Sequence, residues 1–505
     1  MTQLPYDRYP REPLVLENLS LKYMRQAKFV PLSMREGILE IAIADIRDHT
    51  TIESLELAYH CQVQAVYGQA EDILEAIERL YGIHSQSIDN IIEEADRDIS
   101  EIVTEVEENE SRLRDLAQEA PIIRLVNRII GQAVEEKASD IHFEPFEYTF
   151  RVRYRLDGLL REVESPPSRL QAAIISRIKI MAKLDISERR RPQDGRIKLK
   201  VDGREIDFRV STIPTHHGES LVMRILDRES LILDLAQIGF PERLQEEYDK
   251  VIHQPYGMIL VTGPTGSGKT STLYTTLDKI NLPSYKIMTM EDPIEYQLAG
   301  INQIQVNPKI GFTFAGGLRS IVRQDPDIIL IGEIRDKETA EIAIQSALTG
   351  HLLFSTLHTN DAPGAITRLL EMGVENYLLS STLLAVLAQR LVRLICPFCK
   401  EPTEPDPKLL KTMPFSAEEI ADMTFYHGSG CEECRHTGYK GRTAIFEYLP
   451  VDEAIRKEID RKSSTEKIKE TALARGMVTL LQDGWRMVRE GRTTVSEVLR
   501  VTLAS

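Results

Sequence analysis

Hydrophobic and polar positions divide the chain into segments of different periodicity. From about residue 240, short apolar runs alternate with stretches whose apolar residues recur at helical spacing. The apolar runs are residues 258–262, 286–290, 328–331 and 352–356. Runs of this kind, separated by helices, predict a parallel sheet covered by helices, which is the arrangement of an α/β domain.

The preceding segment predicts a mixed, PAS-like α/β domain. Apolar and polar residues alternate beside two tight turns, Asp157-Gly158 and Asp202-Gly203, which is the pattern of β-hairpins. The predicted strands are residues 150–155, 197–201 and 206–210, and the predicted helices are residues 112–137 and 170–184.

The two ends of the chain differ from these domains. Residues 1–82 combine an apolar run with an amphipathic stretch over 71–81 and contain no catalytic motif, so a small α/β docking module is predicted. Near the C-terminus, paired cysteines are followed by helices. The last helix begins with the capping-box sequence Thr494-Val495-Ser496-Glu497.

Composition favours a multi-domain globular protein of the cytoplasm. The chain has 505 residues, too many for a single core, and its richest apolar run, 377–395, is interrupted by polar residues, so no membrane span is predicted. The N-terminus lacks the apolar core of a signal peptide. Five cysteines are too few for a disulfide scaffold.

The net charge of −16 is unevenly distributed. Residues 89–119 carry twelve acidic side chains and three arginines, a net −9, which predicts a solvated linker or exposed helix. Residues 151–209 carry sixteen basic and nine acidic side chains, a net +7. That segment is either a salt-bridged solvated face or a surface that meets an anion such as a nucleotide phosphate.

The strongest chemical motif is a P-loop between a predicted strand and a predicted helix. Its residues are Gly263, Pro264, Thr265, Gly266, Ser267, Gly268, Lys269 and Thr270, followed by Ser271. Such a loop surrounds phosphates with backbone N–H groups at a helix N-terminus. Lys269 is expected to neutralise the β- and γ-phosphates and Thr270 to ligate Mg²⁺, so ATP and Mg²⁺ are expected.

Acidic residues and histidines follow other predicted strands of this domain. Glu333 is the candidate Walker B acid that holds hydrated Mg²⁺. Glu291 is the candidate for orienting the attacking water, although a solvated acidic turn explains its cluster equally well. His351 and His358 flank a strand and are candidate sensors of the γ-phosphate, although a single histidine is more often structural.

Four of the cysteines form the pattern C-x₂-C-x₃₁-C-x₂-C. They are Cys396, Cys399, Cys431 and Cys434. Two tight pairs of thiolates satisfy tetrahedral Zn²⁺ without an open position, so a structural zinc site is predicted. Two disulfides or a redox pair remain alternatives.

These patterns predict six segments along the chain. They are a docking module (1–82), an acidic linker (83–111), a mixed α/β domain (112–235), a RecA-like P-loop ATPase domain (236–390), a tetra-cysteine zinc module (391–445) and a C-terminal helical region (446–505).

Over about residues 110–505 the chain resembles the secretion-ATPase superfamily, the hexameric motors of type II secretion and type IV pilus assembly. The shared motifs are the P-loop, Glu291-Asp292-Pro293-Ile294-Glu295 (the Asp box), Ile331-Gly332-Glu333-Ile334-Arg335-Asp336 (Walker B), residues 349–351 with 355–361 (the His box), and two upstream signatures at residues 138–142 and 191–196. Residues 378–381 and 387–393, with the four cysteines, look most like the type II secretion branch, GspE.

The resemblance implies a cytoplasmic homohexamer that hydrolyses ATP and is peripheral to the inner membrane, where it is coupled to an inner-membrane platform protein. It implies that Arg209 and Arg224 act as arginine fingers and that residues 1–82 dock on a membrane-anchored cytoplasmic partner. The arginines that it places at subunit or domain interfaces are Arg319, Arg323 and Arg335. Residues 1–82 lack the Arg-Leu-Gly-rich cyclic-dinucleotide motif of many pilus-assembly ATPases, which favours secretion.

Other classes of P-loop protein compete with this interpretation. A RecA-like nucleic-acid translocase needs a basic groove that tracks phosphates, and the acidic net charge argues against one, so no nucleic-acid partner is expected. A P-loop kinase needs an acceptor site, for which no motif is visible. Pilus assembly remains the alternative within the family.

Overall fold

A computed structural model gives the fold. It describes residues 9–10, 14, 16, 19, 23–24, 27–35, 37–59, 61–81, 114, 116–163, 165–201, 204–227, 234–404, 406, 418, 420 and 423–502. The expected acidic linker, residues 83–111, and the expected turn at 202–203 lie outside the described residues. The chain divides into two compact units, residues 1–226 and 227–505.

A small three-stranded sheet forms the N-terminal module. Its elements are β1 (Phe29–Arg35), β2 (Ile38–Ile43), α1 (His49–Tyr59), β3 (Gln62–Tyr67) and α2 (Ala70–Tyr81). β2 lies in the centre, antiparallel to β1 and parallel to β3. Ile41 and Ile43 of the sheet and Ile73 and Ile77 of α2 share one buried core. The predicted α/β module is confirmed.

A six-stranded sheet forms the second part of this unit, in the order β6-β5-β4-β9-β8-β7. Its elements are α3 (Ala120–Glu135), β4 (Asp140–Pro145), β5 (Phe150–Leu156), β6 (Leu159–Glu162), α4 (Gln171–Met181), β7 (Gln193–Val201), β8 (Arg204–Thr215) and β9 (Gly218–Asp227). α3 begins at Ala120, later than the predicted 112. Pro121 explains the difference, because proline is tolerated in the first turn of a helix but breaks the interior.

The C-terminal unit contains a seven-stranded sheet, in the order β12-β11-β13-β14-β10-β15-β18. Its strands, together with the separate pair β16 and β17, are β10 (Gly257–Thr262), β11 (Ile287–Glu291), β12 (Asn302–Gln305), β13 (Ile328–Ile331), β14 (Leu352–Leu357), β15 (Leu383–Ile395), β16 (Lys400–Thr403), β17 (Phe425–Gly428) and β18 (Tyr439–Pro450). The four predicted parallel strands are confirmed.

Helices cover both faces of this sheet. They are α5 (Leu235–Ile238), α6 (Glu242–Ile252), α7 (Lys269–Lys279), α8 (Phe314–Ile321), α9 (Lys337–Leu348), α10 (Ala362–Glu371), α11 (Asn376–Thr382), α12 (Glu453–Asp460), α13 (Thr465–Ala474), α14 (Leu480–Arg489) and α15 (Val495–Thr502). Met258 and Leu260 of β10 belong to one buried core, whereas Ile259 and Val261 belong to the other. Central strands buried on both faces therefore read as continuous apolar runs.

Two expected boundaries fall inside strands of this sheet. Residue 390 lies within β15 and residue 445 within β18, and these two strands pair antiparallel along most of their length. All four cysteines lie in the connection between β15 and β18. A strand pairing that spans some fifty residues leaves no mark on the local pattern, so the expected boundaries cut through the sheet.

The capping box of α15 is only half formed. The hydroxyl of Thr494 accepts a hydrogen bond from the backbone N–H of Glu497 at 3.2 Å. The carboxylate of Glu497 instead accepts from Arg393 of β15 at 2.7 Å and from Arg500 at 2.6 Å. Burial alone would raise the pKa of Glu497, but hydrogen bonds from these arginines lower it to about 2. The acid therefore fastens the last helix to the sheet.

Within the part of the chain that the structure describes, no helix has the length and apolar character needed to cross a membrane.

Candidate functional site

The phosphate loop, residues 263–270, connects the carboxyl end of β10 to α7. Gly263, Gly266 and Gly268 have φ angles of 149°, 79° and 90°, which residues with a Cβ atom rarely adopt. No side chain caps the N-terminus of α7, so its first backbone N–H groups are available to an anion. The loop has the conformation and the donors that phosphate binding requires.

Strand β15 supports the phosphate loop from the side. A Cβ atom at Gly263 would lie 2.6 Å from the backbone oxygen of Gln389, and one at Gly268 would lie 2.7 Å from its side-chain nitrogen. The hydroxyl of Thr272 donates to the side-chain oxygen of Gln389 at 2.7 Å. Sequence reasoning assigned no role to Gln389, because nothing local indicates that β15 lies beside β10.

Lys269 is folded onto the phosphate loop. Its Nζ donates to the backbone oxygens of Gly263 at 2.6 Å and Pro264 at 3.1 Å. Burial, reinforced by the nearby Arg390 and opposed by Glu333, lowers the pKa of Lys269 to about 8. The ammonium group is therefore partly desolvated, and a bound anion would stabilise its charge.

Glu333 follows β13 at the same edge of the sheet, as predicted. Its carboxylate contacts Arg335 and lies 3.2 Å from Nε2 of His358. The side chain of Glu333 is 14% exposed, whereas that of His358 is 50% exposed. The structure thus brings Glu333, His358 and Lys269 together. Arg335 forms an ion pair with Glu333 of the same chain.

Glu291 ends β11 and is 4% exposed, which excludes the solvated acidic turn. Its carboxylate accepts hydrogen bonds from Thr289 at 2.5 Å, from Gln303 at 3.2 Å and from the hydroxyl of Tyr274 on α7. Burial raises the pKa of Glu291, and these donors oppose the rise. An acid whose pKa is raised toward neutrality is suited to accept a proton. Tyr274 and Gln303 were not predicted from the sequence.

His351 is not at this edge. β14 and β10 are parallel, with Leu352 opposite Gly257 and Leu357 opposite Thr262. His351 therefore precedes β14 at the edge opposite the phosphate loop, about 20 Å from His358 at the rise of a strand. Its Nδ1 lies 2.8 Å from the backbone oxygen of Ser346 at the end of α9. The sequence predicts both histidines as sensors of the γ-phosphate, and the structure places only His358 beside Glu333, because the two histidines lie at opposite ends of β14.

The candidate arginine fingers belong to the other unit. Arg209 lies on β8, opposite Arg196 of β7. Arg224 lies on β9, where its Nε donates to Asp140 at 3.0 Å while half of its side chain stays exposed. Arg155 also approaches Asp140, at 3.6 Å. Both candidates thus lie on strands, and Arg224 has an exposed guanidinium that can exchange partners.

Two further arginines from the sequence analysis lie on the surface of the C-terminal unit. Arg319 pairs with Glu338 at 2.6 Å, and Arg323 donates to the backbone oxygen of Arg319 at 2.5 Å. Exposed pairs of this kind contribute less than about 1 kcal/mol to stability.

The four cysteines form one cluster. Their sulfur atoms all lie within 4.8 Å of one another, and the pairs Cys396–Cys431 and Cys399–Cys434 are 3.9 and 3.7 Å apart. A disulfide needs about 2.05 Å, so these cysteines form no disulfide in the structure. Four thiolates around an ion at about 2.3 Å would be about 3.8 Å apart. The cluster therefore fits a tetrahedral metal site.

Backbone N–H groups complete this cluster. The N–H of Gly430 points at the sulfur of Cys399 at 3.4 Å, and those of Cys431 and Gly438 point at the sulfur of Cys434 at 3.2 Å. Such donors stabilise thiolates over thiols, which is the form that binds metals.

Two family models match the chain. One is described as "Type II/IV secretion system protein" and covers residues 115–500; the other is described as "MshEN domain" and covers residues 2–87.

Named relatives extend over nearly the whole chain. "Type II secretion system protein E" of Xanthomonas campestris pv. campestris is 51% identical over 96% of this chain and 85% of its own length. "Type IV pilus assembly ATPase PilB" of Myxococcus xanthus is 45% identical over 97% of this chain and 86% of its own length.

A solved structure supports the fold. The crystal structure of the pilus retraction motor PilT with bound ADP is 27% identical, covers 74% of this chain and 95% of its own, and superposes with a TM-score of 0.50.

Proposed function

This chain belongs to the type II/IV secretion system protein family, and from that membership we propose that it is the ATPase motor of a type II secretion machine. The observation that carries the proposal is the phosphate loop with Lys269 beside the acid Glu333 at one edge of the sheet. The relative at 51% identity is a type II secretion protein, which favours secretion. The relative at 45% is a pilus-assembly ATPase, so type IV pilus assembly is the second candidate.

The phosphate loop and Lys269 bind the phosphates of ATP. The free N–H groups at the start of α7 surround the phosphates, and Lys269 turns from the carbonyls of Gly263 and Pro264 to the β- and γ-phosphates. The exposed hydroxyl of Thr270 and the carboxylate of Glu333 would supply oxygen ligands for Mg²⁺. When bound, the ion neutralises phosphate charge.

Hydrolysis needs a group that orients the attacking water. Glu291 accepts a proton from the water as the water oxygen bonds to the γ-phosphorus. The bond from that phosphorus to the bridging oxygen breaks, which leaves ADP and phosphate as the products. Tyr274 and Thr289 hold the Glu291 carboxylate at the end of β11. His358 holds Glu333 from its other side, and through that contact senses whether the γ-phosphate is present.

Three substitutions separate binding from hydrolysis. Lys269→Ala should weaken ATP binding and abolish turnover, because phosphate charge is left unneutralised. Glu333→Gln and Glu291→Gln should still bind ATP but lower kcat by at least about 100-fold. Phosphate release and binding of a fluorescent ATP analogue measure the two effects. Near-normal turnover in Glu291→Gln would move the water-orienting role to another residue.

A homohexamer supplies positive charge at the γ-phosphate in addition to that of Lys269. Arg209 and Arg224 lie on rigid strands of a basic segment, and the exposed guanidinium of Arg224 can leave Asp140 for a phosphate. Such arginine fingers are worth about 10³ to 10⁵ in rate in other P-loop enzymes. In a ring, closing each unit on its nucleotide shifts the neighbouring subunit, so hydrolysis becomes motion.

The ring predicts that specific activity rises steeply with protein concentration as hexamers assemble. Arg209→Ala or Arg224→Ala should lower kcat by at least about 100-fold without changing the assembly state seen by light scattering. Arg155→Ala is the matched control, because it also loses a contact with Asp140 but should retain turnover within about threefold. If kcat falls by less than threefold in both variants, Arg209 and Arg224 form only ordinary surface ion pairs.

Zinc is the metal that suits the cysteine cluster. Four thiolates at tetrahedral spacing leave no open position, so the ion is structural and takes no part in ATP hydrolysis. It would link the beginning and the end of the connection between β15 and β18, in which the described strands and helices are short.

Purified, reduced protein should contain one zinc ion per chain. Cys396→Ser should lose the ion and unfold the C-terminal region at lower temperature, because three thiolates bind far more weakly than four. Cys61→Ser is the control, since Cys61 lies outside the cluster. Elemental analysis and thermal unfolding provide the measurements, and freshly prepared protein free of zinc would refute the site.

The N-terminal module docks the motor on the secretion machine. Residues 2–87 match a separate family model and contain none of the catalytic residues, so the module serves recognition. Its partner is a membrane-anchored protein with a cytoplasmic segment, which places the ATPase at the inner membrane and next to the platform that it drives.

Deleting residues 1–82 should spare ATP hydrolysis but abolish recovery of the motor with inner membranes from cells that express the secretion machine. The full-length Lys269→Ala variant is the control, because it loses hydrolysis but keeps the module and should remain with the membranes. Membrane recovery of the truncated chain would contradict the docking role.

A further inference from the structure

Arg390 is a buried cation beside the phosphate loop. It lies on β15 and is 5% exposed. Its Nη1 is 3.2 Å from the point where a Cβ atom of Gly263 would stand. The guanidinium therefore lies against the first residue of the loop.

The acceptors of Arg390 are all neutral. Nη1 donates to the backbone oxygen of Gln389 at 3.1 Å, and Nη2 donates to the backbone and side-chain oxygens of Asn360 at 2.9 and 3.3 Å. Among the described residues, no carboxylate forms an ion pair with it. Burial lowers the pKa of Arg390, and the carboxylates of Glu447 and Asp361 oppose this only from a distance.

This arrangement is costly unless an anion is bound. A buried charge destabilises a protein when no opposite charge is close, and a neutral side chain would serve packing at lower cost. Arg390 also lies close enough to Lys269 to disfavour its protonated form. Two neighbouring cations at a loop with free N–H groups constitute a site that a polyphosphate stabilises.

Arg390 also joins two loops of the site. Asn360 follows His358, the residue that contacts Glu333. The same loop is fastened at the end of β10, where the backbone N–H of Thr359 donates to the hydroxyl of Thr262 at 2.9 Å. The guanidinium thus donates hydrogen bonds to the loop that carries His358 and lies against Gly263 of the phosphate loop.

We propose that Arg390 is a positioning residue of the nucleotide site: it holds the phosphate loop against the loop of His358 and adds an in-subunit positive charge that favours di- and triphosphates. The proposal rests on the ATPase function proposed above. It adds to the two arginines of the other unit a cation that needs no neighbouring subunit.

Two substitutions in the full-length protein test the two parts of this role. Arg390→Gln removes the charge, and we expect about tenfold weaker binding of a fluorescent ATP analogue and about threefold weaker binding of the ADP analogue, because the effect grows with phosphate charge. Arg390→Lys keeps the charge but not the planar fork that reaches two loops. We expect its affinities to stay within threefold of the original protein while kcat falls about tenfold.

Arg393→Gln is the matched control. It removes a second guanidinium from the same strand, one that is paired with Glu497 of the last helix. It should lower thermal stability while leaving both affinities and kcat within threefold. Lys269→Ala and the unaltered protein report on the site itself: if the unaltered chain neither binds nor hydrolyses ATP, the proposed function fails independently of Arg390.

Three outcomes would overturn the proposal. Unchanged affinities in folded Arg390→Gln would reduce Arg390 to packing, and equal losses in Arg390→Gln and Arg393→Gln would attribute the effect to general destabilisation. Full turnover in Arg390→Lys would remove the bridging part. Because the lysine variant keeps the charge and most of the reach of the side chain, it decides the bridging question even if the glutamine variant does not fold.

Discussion

The phosphate loop lies so close to β15 that only hydrogen fits at Gly263 and Gly268. This contact depends on the parallel pairing of β10 with β15, which brings Thr262 opposite Ala388 and the next residue of β15, Gln389, under the loop. A methyl group at either glycine would push the loop off the strand and tilt the N–H groups away from a phosphate. The nucleotide site is therefore built on a strand pairing.

The same edge of the sheet gives two acids different environments. Glu291 is buried beneath three hydrogen-bond donors, and burial raises its pKa. Glu333 is more accessible and shares its carboxylate between Arg335 and His358. Carboxylates whose surroundings differ in this way can divide proton transfer and metal binding between them. Glu291 is the last residue of β11, whereas Glu333 lies two residues beyond the end of β13.

The cysteine cluster is connected to the nucleotide site through strand β15. It follows the end of β15, about 20 Å along the strand from Gln389 at the usual rise per residue. Arg393, between the two, is held by Glu497 of the last helix. The cysteine cluster therefore follows one end of β15, whereas Gln389, which supports the phosphate loop, lies near the middle of that strand.

The sequence by itself determined what depends on neighbouring residues. The P-loop, the apolar runs of the parallel strands and the cysteine spacing are local patterns, and the structure confirms a phosphate loop, the four strands and one four-sulfur cluster. Only the tertiary structure decided which residues from distant segments meet. The parallel pairing of β14 with β10 places His351 at the edge opposite the phosphate loop. Glu497 accepts a hydrogen bond from Arg393 of β15 instead of completing the cap of its own helix. Gln389 and Arg390 lie beside the phosphate loop because β15 pairs with β10. These outcomes are set by strand order and register, which join residues about a hundred positions apart and leave no periodicity in the chain.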